Sequence, residues 1–200
     1  MRNITLGSTG ITVPQNAFGA LPIQRISAED AAGLLKKAYE GGMRFFDTAR
    51  AYSDSEEKMG LGLSDVRENI YIASKTAAKT PEGFWKDLET TLHNLKTDYL
   101  DIYQFHCADR VFAPGDGTGM YEAMLEAKAQ GKIRHIGITA HKIGIAEDII
   151  DTGRTLNDVL KLLKARNPLS LKVITLLDKP ERRLVKLDAD ISLFTIPDHF

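Results

Sequence analysis

Four side chains that can move or stabilise a proton follow one another along the chain, each at or just beyond the end of an apolar stretch. They are Asp47, Tyr52, Lys75 and His106. A carbonyl that receives a hydride must be protonated at its oxygen, and a tyrosine can donate that proton when a nearby cation lowers its pKa. Lys75 supplies a cation, Asp47 a carboxylate to orient it, and His106 a group that can hold the carbonyl oxygen. These types in this order predict reductive chemistry.

Each of the four residues has a structural alternative when it is taken alone. An aspartate–lysine pair at the rim of a sheet is commonly only an ion pair, and an isolated tyrosine or histidine commonly lies on the surface or in the core. The prediction of reductive chemistry therefore depends on all four residues in this order and spacing.

The elements that must position these residues alternate between short apolar runs and longer helical patterns before residue 140. This alternation predicts βα units on a parallel sheet, after a hairpin over residues 3–13. The predicted strands are Asn16–Ala20, Arg44–Asp47, Ile70–Ser74, Asp101–His106 and Arg134–Thr139.

The predicted helices are about Ala28–Glu40, Glu56–Leu63, Pro81–Leu95 and Gly119–Ala129. All four residues lie at or near predicted C-terminal strand ends, where (βα)8 barrels place their active sites.

A different pattern begins after residue 153, with no Gly/Ser linker before it. Leucine and valine spacing predicts one amphipathic helix ending near Asn167-Pro168, followed by strands at Leu171–Leu177 and Ile191–Ile196. Just before the helix stands a second motif of two acids followed by Asp-Thr-Gly-x-Thr, residues 147–155. Acids can accept bonds from ribose hydroxyls, while small residues at a helix N-terminus let backbone N–H groups surround a phosphate. The motif predicts a ribose-phosphate site, although these acids also suit an ordinary amphipathic helix.

Composition limits the classes of function. The 200 residues are 43% apolar, enough for roughly one domain. With 26 basic and 27 acidic residues, the chain has no field that would attract nucleic acid or an anionic membrane. One cysteine, Cys107, excludes an intramolecular disulfide, and no apolar run reaches the roughly 18 residues of a membrane span. We expect a soluble cytoplasmic protein that acts on a small molecule and has no metal site.

Residues 1 to about 146 resemble the N-terminal part of an aldo-keto reductase. The motifs that carry the resemblance are Leu6–Gly10 for the opening hairpin, Phe46–Tyr52 for the Asp/Tyr motif, Ile70–Thr76 for the lysine strand, Asp98–His106 for the histidine strand and Gly131–Thr139 for the fifth strand. The resemblance implies Tyr52 as general acid, Lys75 and Asp47 as the pair that tunes its pKa, and His106 as the group that orients the substrate.

The same resemblance implies NADPH or NADH as hydride donor. Thr139 stands where the family contacts the nicotinamide amide, with Thr139-Ala140 in place of the usual Ser-Asn. The family binds the adenine and phosphate of the cofactor mainly through the last strands of its barrel, which this resemblance does not include. We therefore expect weak or absent reductase activity.

Residues 147–200 resemble the C-terminal portion of a hypoxanthine/guanine phosphoribosyltransferase, also through Asp178–Arg183 and Phe194–Phe200. The implied ligands are Glu147 and Asp148 for the ribose, Asp151 near the purine N7, Thr152, Gly153 and Thr155 for the 5′-phosphate, Lys179 for the six-position oxygen, and Phe200 stacked on the purine. Of the two families, only the phosphoribosyltransferase implies a Mg²⁺ ion. The family's pyrophosphate loop, lid and magnesium-binding acid lie outside the resemblance, so complete phosphoribosyl transfer is not expected.

The junction, Ala146–Gly153, suits either family. As a reductase helix it places Ile145, Ile149 and Ile150 on one face and ends at Gly153. As a transferase segment it is the end of a strand and a phosphate loop. We expect the helix, because His141–Ala146 resembles the reductase helix entry and the preceding strand is already complete.

Two family signatures that meet without a linker predict a chimera. The expected α/β fold is a partial (βα) TIM-type barrel of five reductase-like units, residues 1–146, extended by two transferase-like strands from residues 147–200 and packed with them as one domain. An open sheet edge would favour a homodimer. Three functions stay open: a weak carbonyl reductase, a phosphate or purine-nucleotide binder, and a folded chimera without activity. We favour the folded chimera without activity in practice, and carbonyl reduction is the ancestral function.

Overall fold

The computed structural model describes residues 2–108, 110–140, 142–150, 153–165, 170–187 and 191–195. The chain divides into two compact units, Met1–Thr139 and Ala140–Phe200. This division precedes the boundary at residue 146 that the family resemblances predict.

The first unit opens with an antiparallel hairpin of β1 (Asn3–Thr5) and β2 (Thr12–Pro14), which confirms the predicted hairpin. A parallel sheet follows, and its spatial order equals its chain order. Its strands are β3 (Phe18–Gly19), β4 (Phe45–Asp47), β5 (Tyr71–Thr76), β6 (Leu100–Phe105) and β7 (Ile133–Ile138). Every predicted strand of this unit is present, within one or two residues at most ends.

The helices between these strands are α1 (Ala28–Glu40), α2 (Ser55–Leu63), α3 (Pro81–Leu95) and α4 (Met120–Ala129), with short 3-10 helices at Leu21–Arg25 and Ser64–Asn69. Local chemistry sets two of their starts. The Ser27 hydroxyl accepts the Asp30 N–H at the beginning of α1, and Thr80 accepts the Gly83 N–H before Pro81 opens α3.

The core of this unit joins the sheet to its helices. Phe46 on β4, Leu35 on α1, Leu88 on α3 and Met120 on α4 are fully buried. Trp85 also packs against this core. Because the strands are parallel and the helices pack against the sheet, the C-terminal ends of the strands meet at one edge of the sheet.

The second unit contains β8 (Lys142–Ile150), α5 (Arg154–Lys164), β9 (Ser170–Asp178), a 3-10 turn at Pro180–Arg182 and β10 (Ile191–Thr195). The strands form a parallel sheet in the order β10, β9, β8. Leu156, Leu160, Val173 and Leu187 are buried in a small core of their own. The predicted helix and both later strands are confirmed, although Asn167-Pro168 and Ile196 lie outside the described residues.

The helix expected at the junction is wrong. Residues 142–150 are extended and pair with β9 along most of their length, with Ala146 opposite Ile174 and Ile150 opposite Asp178. Isoleucine-rich runs suit a strand as well as a helix, and the neighbouring apolar strand decides between them. His141, which also entered that expectation, lies outside the described residues.

The expected extension of the reductase-like sheet is also wrong. The two transferase-like strands, β9 and β10, hydrogen-bond with each other and with β8 in a sheet of three. β9 carries a partner on each side, so its ladders are used within the second unit. The reason is again β8, because a junction that is extended provides a third strand for the second unit.

Candidate active site

The four residues singled out for proton chemistry lie around the C-terminal edge of the five-stranded sheet. Asp47 is the last residue of β4, Lys75 the penultimate residue of β5, and His106 follows β6 directly. Tyr52 lies in the connection from β4 to α2. Parallel register brings neighbouring strand ends together, with Thr76 opposite Phe105.

The lysine and the aspartate form a short ion pair. The Lys75 ammonium donates to Asp47 Oδ2 at 2.6 Å and to the Thr48 carbonyl at 2.8 Å. Lys75 is 5% exposed, whereas a third of the Asp47 side chain, 33%, remains exposed. A buried ammonium needs such partners, so its position is fixed by the end of β4.

Tyr52 joins this pair to the histidine. Its ring meets the His106 ring edge to face, with 5.5 Å between centroids and 83° between planes. The Lys75 Nζ lies 5.3 Å from the Tyr52 ring centroid. The structure therefore brings together all four residues that the sequence indicated.

The pKa of Tyr52 is raised above its ordinary value, first because partial burial disfavours the phenolate, and then because Asp47 and Cys107 add negative potential. This direction is opposite to the lowering expected from Lys75. Burial is the main reason for the difference, and the Asp47 carboxylate also offsets the ammonium charge. Tyr52 is accordingly a neutral phenol at physiological pH, which is the form that donates a proton.

Two backbone positions beside these side chains were not foreseen. Ser53 has φ +42° and Cys107 has φ +49°, and they directly follow Tyr52 and His106. Left-handed conformations cost non-glycine residues about 1–2 kcal/mol and are concentrated at functional sites. No signal in the sequence marks them, because serine and cysteine do not ordinarily indicate left-handed turns.

Thr139, the residue assigned to the nicotinamide, follows β7 at the same edge. Its hydroxyl accepts the Cys107 N–H at 3.0 Å and lies 3.4 Å from the Phe105 carbonyl, to which it donates. The threonine thus ties the end of β7 to the turn that carries His106. One hydroxyl lone pair remains for an outside donor.

The residues assigned to the ribose-phosphate site belong to the second unit. Glu147 and Asp148 lie in β8, where the backbone alone is described, and Asp151, Thr152 and Phe200 lie outside the described residues. Gly153 precedes α5 with φ +75°, Thr155 is in its first turn, and Lys179 is 8% exposed just after β9.

The loop after β9 reaches the start of α5. A Cβ added to Gly153 would lie 3.2 Å from Val185 Cγ2 and 3.4 Å from Arg183 Cδ. The Arg183 Nε donates to the Leu187 carbonyl at 3.1 Å. The left-handed backbone angle therefore favours glycine at residue 153, and an added Cβ would also be tight against the Val185 side chain.

Within the described ranges, no three or more His, Cys, Asp or Glu side chains are grouped in a way that could hold a metal ion. In the same part of the chain, no helix has both the length and the apolar character needed to cross a membrane.

Comparison with known proteins decides the family of the first motif. The aldo/keto reductase family model matches residues 4–171. The chain belongs to the aldo/keto reductase family. L-galactose dehydrogenase of Arabidopsis thaliana is 29% identical over 218 aligned positions, covering 88% of this chain and 68% of that protein. A reductase of this family from Klebsiella pneumoniae, solved in complex with NADPH, has the same fold with a TM-score of 0.62 at 22% identity, covering 88% of this chain and 68% of that one.

A second similarity accompanies the reductase match. Hypoxanthine phosphoribosyltransferase of Buchnera aphidicola is 59% identical over 56 residues, which are 28% of this chain and 32% of that protein. The chain therefore spans about a third of the length of this relative. Together the two similarities are those of a chimera, reductase-like toward its N-terminus and transferase-like over a shorter segment.

Proposed function

We propose that this aldo/keto reductase family member reduces a small carbonyl compound with NADPH or NADH, and that Tyr52 is the proton donor. The observation that carries the proposal is the convergence of Tyr52, His106 and the Lys75–Asp47 ion pair at one sheet edge. The family itself supports the chemistry, and the neutral state of Tyr52 supports its role.

The residues act on the carbonyl oxygen. His106, edge to face with Tyr52, orients that oxygen, and the Tyr52 hydroxyl donates its proton as negative charge develops there. The nicotinamide cofactor supplies the hydride that forms the new C–H bond. Lys75 then stabilises the phenolate that remains, because its ammonium is held near the ring by Asp47 and Thr48, until solvent returns the proton.

Thr139 is the residue that we assign to the nicotinamide amide. Its hydroxyl already bonds to the Cys107 N–H and the Phe105 carbonyl, so it can accept one further hydrogen bond. A single such contact supports weak binding, and we expect a KM for NADPH at or above about 1 mM, the upper end of the usual enzyme range. The proposed architecture is a partial barrel, and its expected activity is correspondingly low.

The test is NADPH oxidation with a generic small aldehyde, measured for the unmodified chain and for Tyr52→Phe. We expect slow turnover, reduced about 10²–10⁴-fold in the variant, because general acid catalysis contributes that much. Tyr71→Phe is the matched control, since Tyr71 lies at the opposite end of β5. Equal rates for all three proteins would indicate contamination. No turnover in any of them would contradict the proposal and leave a chimera without this activity.

The second unit supports a second candidate function, the binding of phosphate or a purine nucleotide. The observation is a strand followed closely by a helix, in which β8 ends at Ile150, Gly153 has φ +75°, and α5 begins at Arg154. Helix N-termini preceded by a glycine turn favour anions. Thr155 would add its hydroxyl, and Lys179 would contact a purine oxygen, as in the transferase resemblance.

This candidate is tested by calorimetric titration with inorganic phosphate and with GMP, with and without Mg²⁺. We expect binding that Thr155→Ala removes and Thr195→Ala retains, since Thr195 is an exposed residue on β10 of the same unit. Absence of heat and of thermal protection with both ligands would contradict it.

A further inference from the structure

Glu56 is a carboxylate buried without any exposure in the first turn of α2. It follows the Tyr52 connection directly in the chain and is not among the residues that either resemblance assigns. Taking a carboxylate out of water is costly unless several donors satisfy it. The identity of those donors therefore indicates what the residue holds in place.

Three elements supply donors to Glu56. Its Oε1 accepts the Ser74 hydroxyl at 2.7 Å and the Thr91 hydroxyl at 2.8 Å, from β5 and α3. Its Oε2 forms an ion pair with Arg50, which lies in the same connection as Tyr52. One carboxylate thus joins β5 to the connection between β4 and α2.

Arg50 in turn holds the backbone on both sides of Tyr52. Its backbone N–H donates to the Lys75 carbonyl at 2.9 Å, and its Nη2 donates to the Ser53 carbonyl at 3.3 Å. Ser53 is the residue with the left-handed backbone directly after the tyrosine. A fixed guanidinium therefore keeps the turn at Tyr52 against the strand that carries Lys75.

From this network we infer that Glu56 is a positioning residue for the Tyr52 acid. It anchors Arg50, and Arg50 keeps Ser53 in its left-handed conformation, so that the Tyr52 ring stays against His106 and Lys75. Ser74 gives the same carboxylate a direct bond to the residue before Lys75. The kinetic consequence depends on the proposed reductase function, whereas the structural consequence does not.

The test compares Glu56→Gln and Arg50→Lys with a matched control, Thr91→Val. Glu56→Gln keeps the shape and an acceptor for Ser74 and Thr91 but loses the charge that holds Arg50. Arg50→Lys keeps a cation for Glu56 but loses the second donor that reaches Ser53. Thr91→Val removes one bond to the same carboxylate from the α3 side and leaves the Arg50 pair intact.

The primary readout is the NMR cross-relaxation between the Tyr52 and His106 rings, assigned by its disappearance in Tyr52→Leu, which removes the ring at residue 52. We expect this cross-relaxation to weaken in Glu56→Gln and Arg50→Lys and to persist in Thr91→Val, whatever the decrease in melting temperature. Where turnover is measurable, kcat should fall about 10²-fold in the first two variants, as displaced catalytic groups commonly cause, with little change in the KM for the carbonyl.

The possible outcomes separate the two proposals. Cross-relaxation that persists in both Glu56→Gln and Arg50→Lys, or that weakens equally in Thr91→Val, overturns the positioning role. If the two rings separate in the first two variants while the unmodified chain shows no turnover, the positioning role is supported and the reductase function is contradicted. If Glu56→Gln does not fold, Arg50→Lys decides, because Arg50 is partly exposed.

Discussion

The charge state of Tyr52 is set first by its partial burial and then by the charges around it, with Asp47 foremost. The ammonium favours the phenolate, while burial and the carboxylate favour the phenol, and the net effect raises the pKa of Tyr52. A general acid must be protonated when it acts. Asp47, which the sequence indicated as part of a pair that lowers this pKa, instead acts with burial to keep Tyr52 protonated.

This balance predicts the pH dependence of reduction. The rate requires the protonated phenol, so a raised pKa keeps the rate level through neutral and mildly alkaline pH, and the rate falls only above about pH 10, the ordinary value for tyrosine. Asp47→Asn removes a cause of the raised pKa and leaves Lys75 unopposed. In Asp47→Asn we expect the alkaline decline in rate to begin at a lower pH. The measurement is kcat/KM against pH, or NMR titration of Tyr52. Asp30→Asn, at the exposed start of α1, is the control, and an unmoved decline in Asp47→Asn would count against this account.

Tyr103 on β6 supports a prediction about stability. It is fully buried, and its hydroxyl forms no hydrogen bond of ordinary geometry within the described residues, although the Thr91 and Thr76 side chains partly offset the effect of burial on its pKa. An unpaired buried polar group costs about 1–3 kcal/mol. We therefore expect Tyr103→Phe to unfold at the same or a higher denaturant concentration, whereas destabilisation by more than about 1 kcal/mol would show a hidden partner.

Tyr103 also makes the stability of the fold depend on pH. Burial is the main cause of a strongly raised pKa at Tyr103. Above about pH 10 the unfolded tyrosine ionises while the folded one stays neutral, so the parent protein loses stability as pH rises. Tyr103→Phe should lose less over that range, and a parallel decline in both proteins would exclude this contribution.

At the scale of elements, local chemistry was sufficient where a signal lies within one turn. Helices α1 and α3, which begin directly after the capping residues Ser27 and Thr80, have the same bounds in the structure as in the prediction. The junction is not predictable in this way, because its isoleucines suit either a helix or a strand and its pairing partner, β9, lies more than twenty residues away in the chain. Glu56 was missed for the same reason, since its bonds to β5 and α3 are not local.

Packing between α2 and α3 depends on a glycine that the sequence does not distinguish from others. A Cβ on Gly60 would lie 2.0 Å from the Asn94 carbonyl oxygen, a backbone atom that cannot turn away. Gly60→Ala should therefore destabilise the protein by about 1–3 kcal/mol or more. Gly33→Ala in α1 is the matched control, because its Cβ would meet nothing within 4 Å, and it should stabilise by about 0.5–1 kcal/mol. Chemical denaturation of both variants measures the contrast, and equal effects would show that α2 can move away from α3.

At the scale of the whole molecule, similarity and folding divide the chain at different places. The reductase family match runs to residue 171, whereas the first compact unit ends at Thr139. Residues 142–150 explain the difference, because their ladder is with β9 of the second unit. A resemblance assigns ancestry to a segment, but hydrogen-bond partners decide which unit the segment joins.

Strand β7, at one edge of the five-stranded sheet, leads to a prediction of self-association. Within the described ranges β7 pairs with β6 alone, and apolar groups surround its C-terminal end, where Val111 is 78% and Ile138 46% exposed. These two residues line a cavity of about 290 Å³ together with Phe112 and Tyr121. Edge strands with exposed apolar side chains pair with other chains unless a charge opposes them.

We therefore expect the molar mass measured by light scattering to rise with concentration toward that of a homodimer. Ile138→Lys should shift this rise to higher concentration, because docking would then bury an ammonium at the edge. Leu61→Lys is the control, since Leu61 is equally apolar and 50% exposed but lies on helix α2. A constant monomer mass in the unmodified chain would contradict association, and an equal effect of both lysines would place the interface away from β7. An effect of Ile138→Lys alone identifies the sheet edge, because both variants add the same charge and only one adds it at the end of a strand.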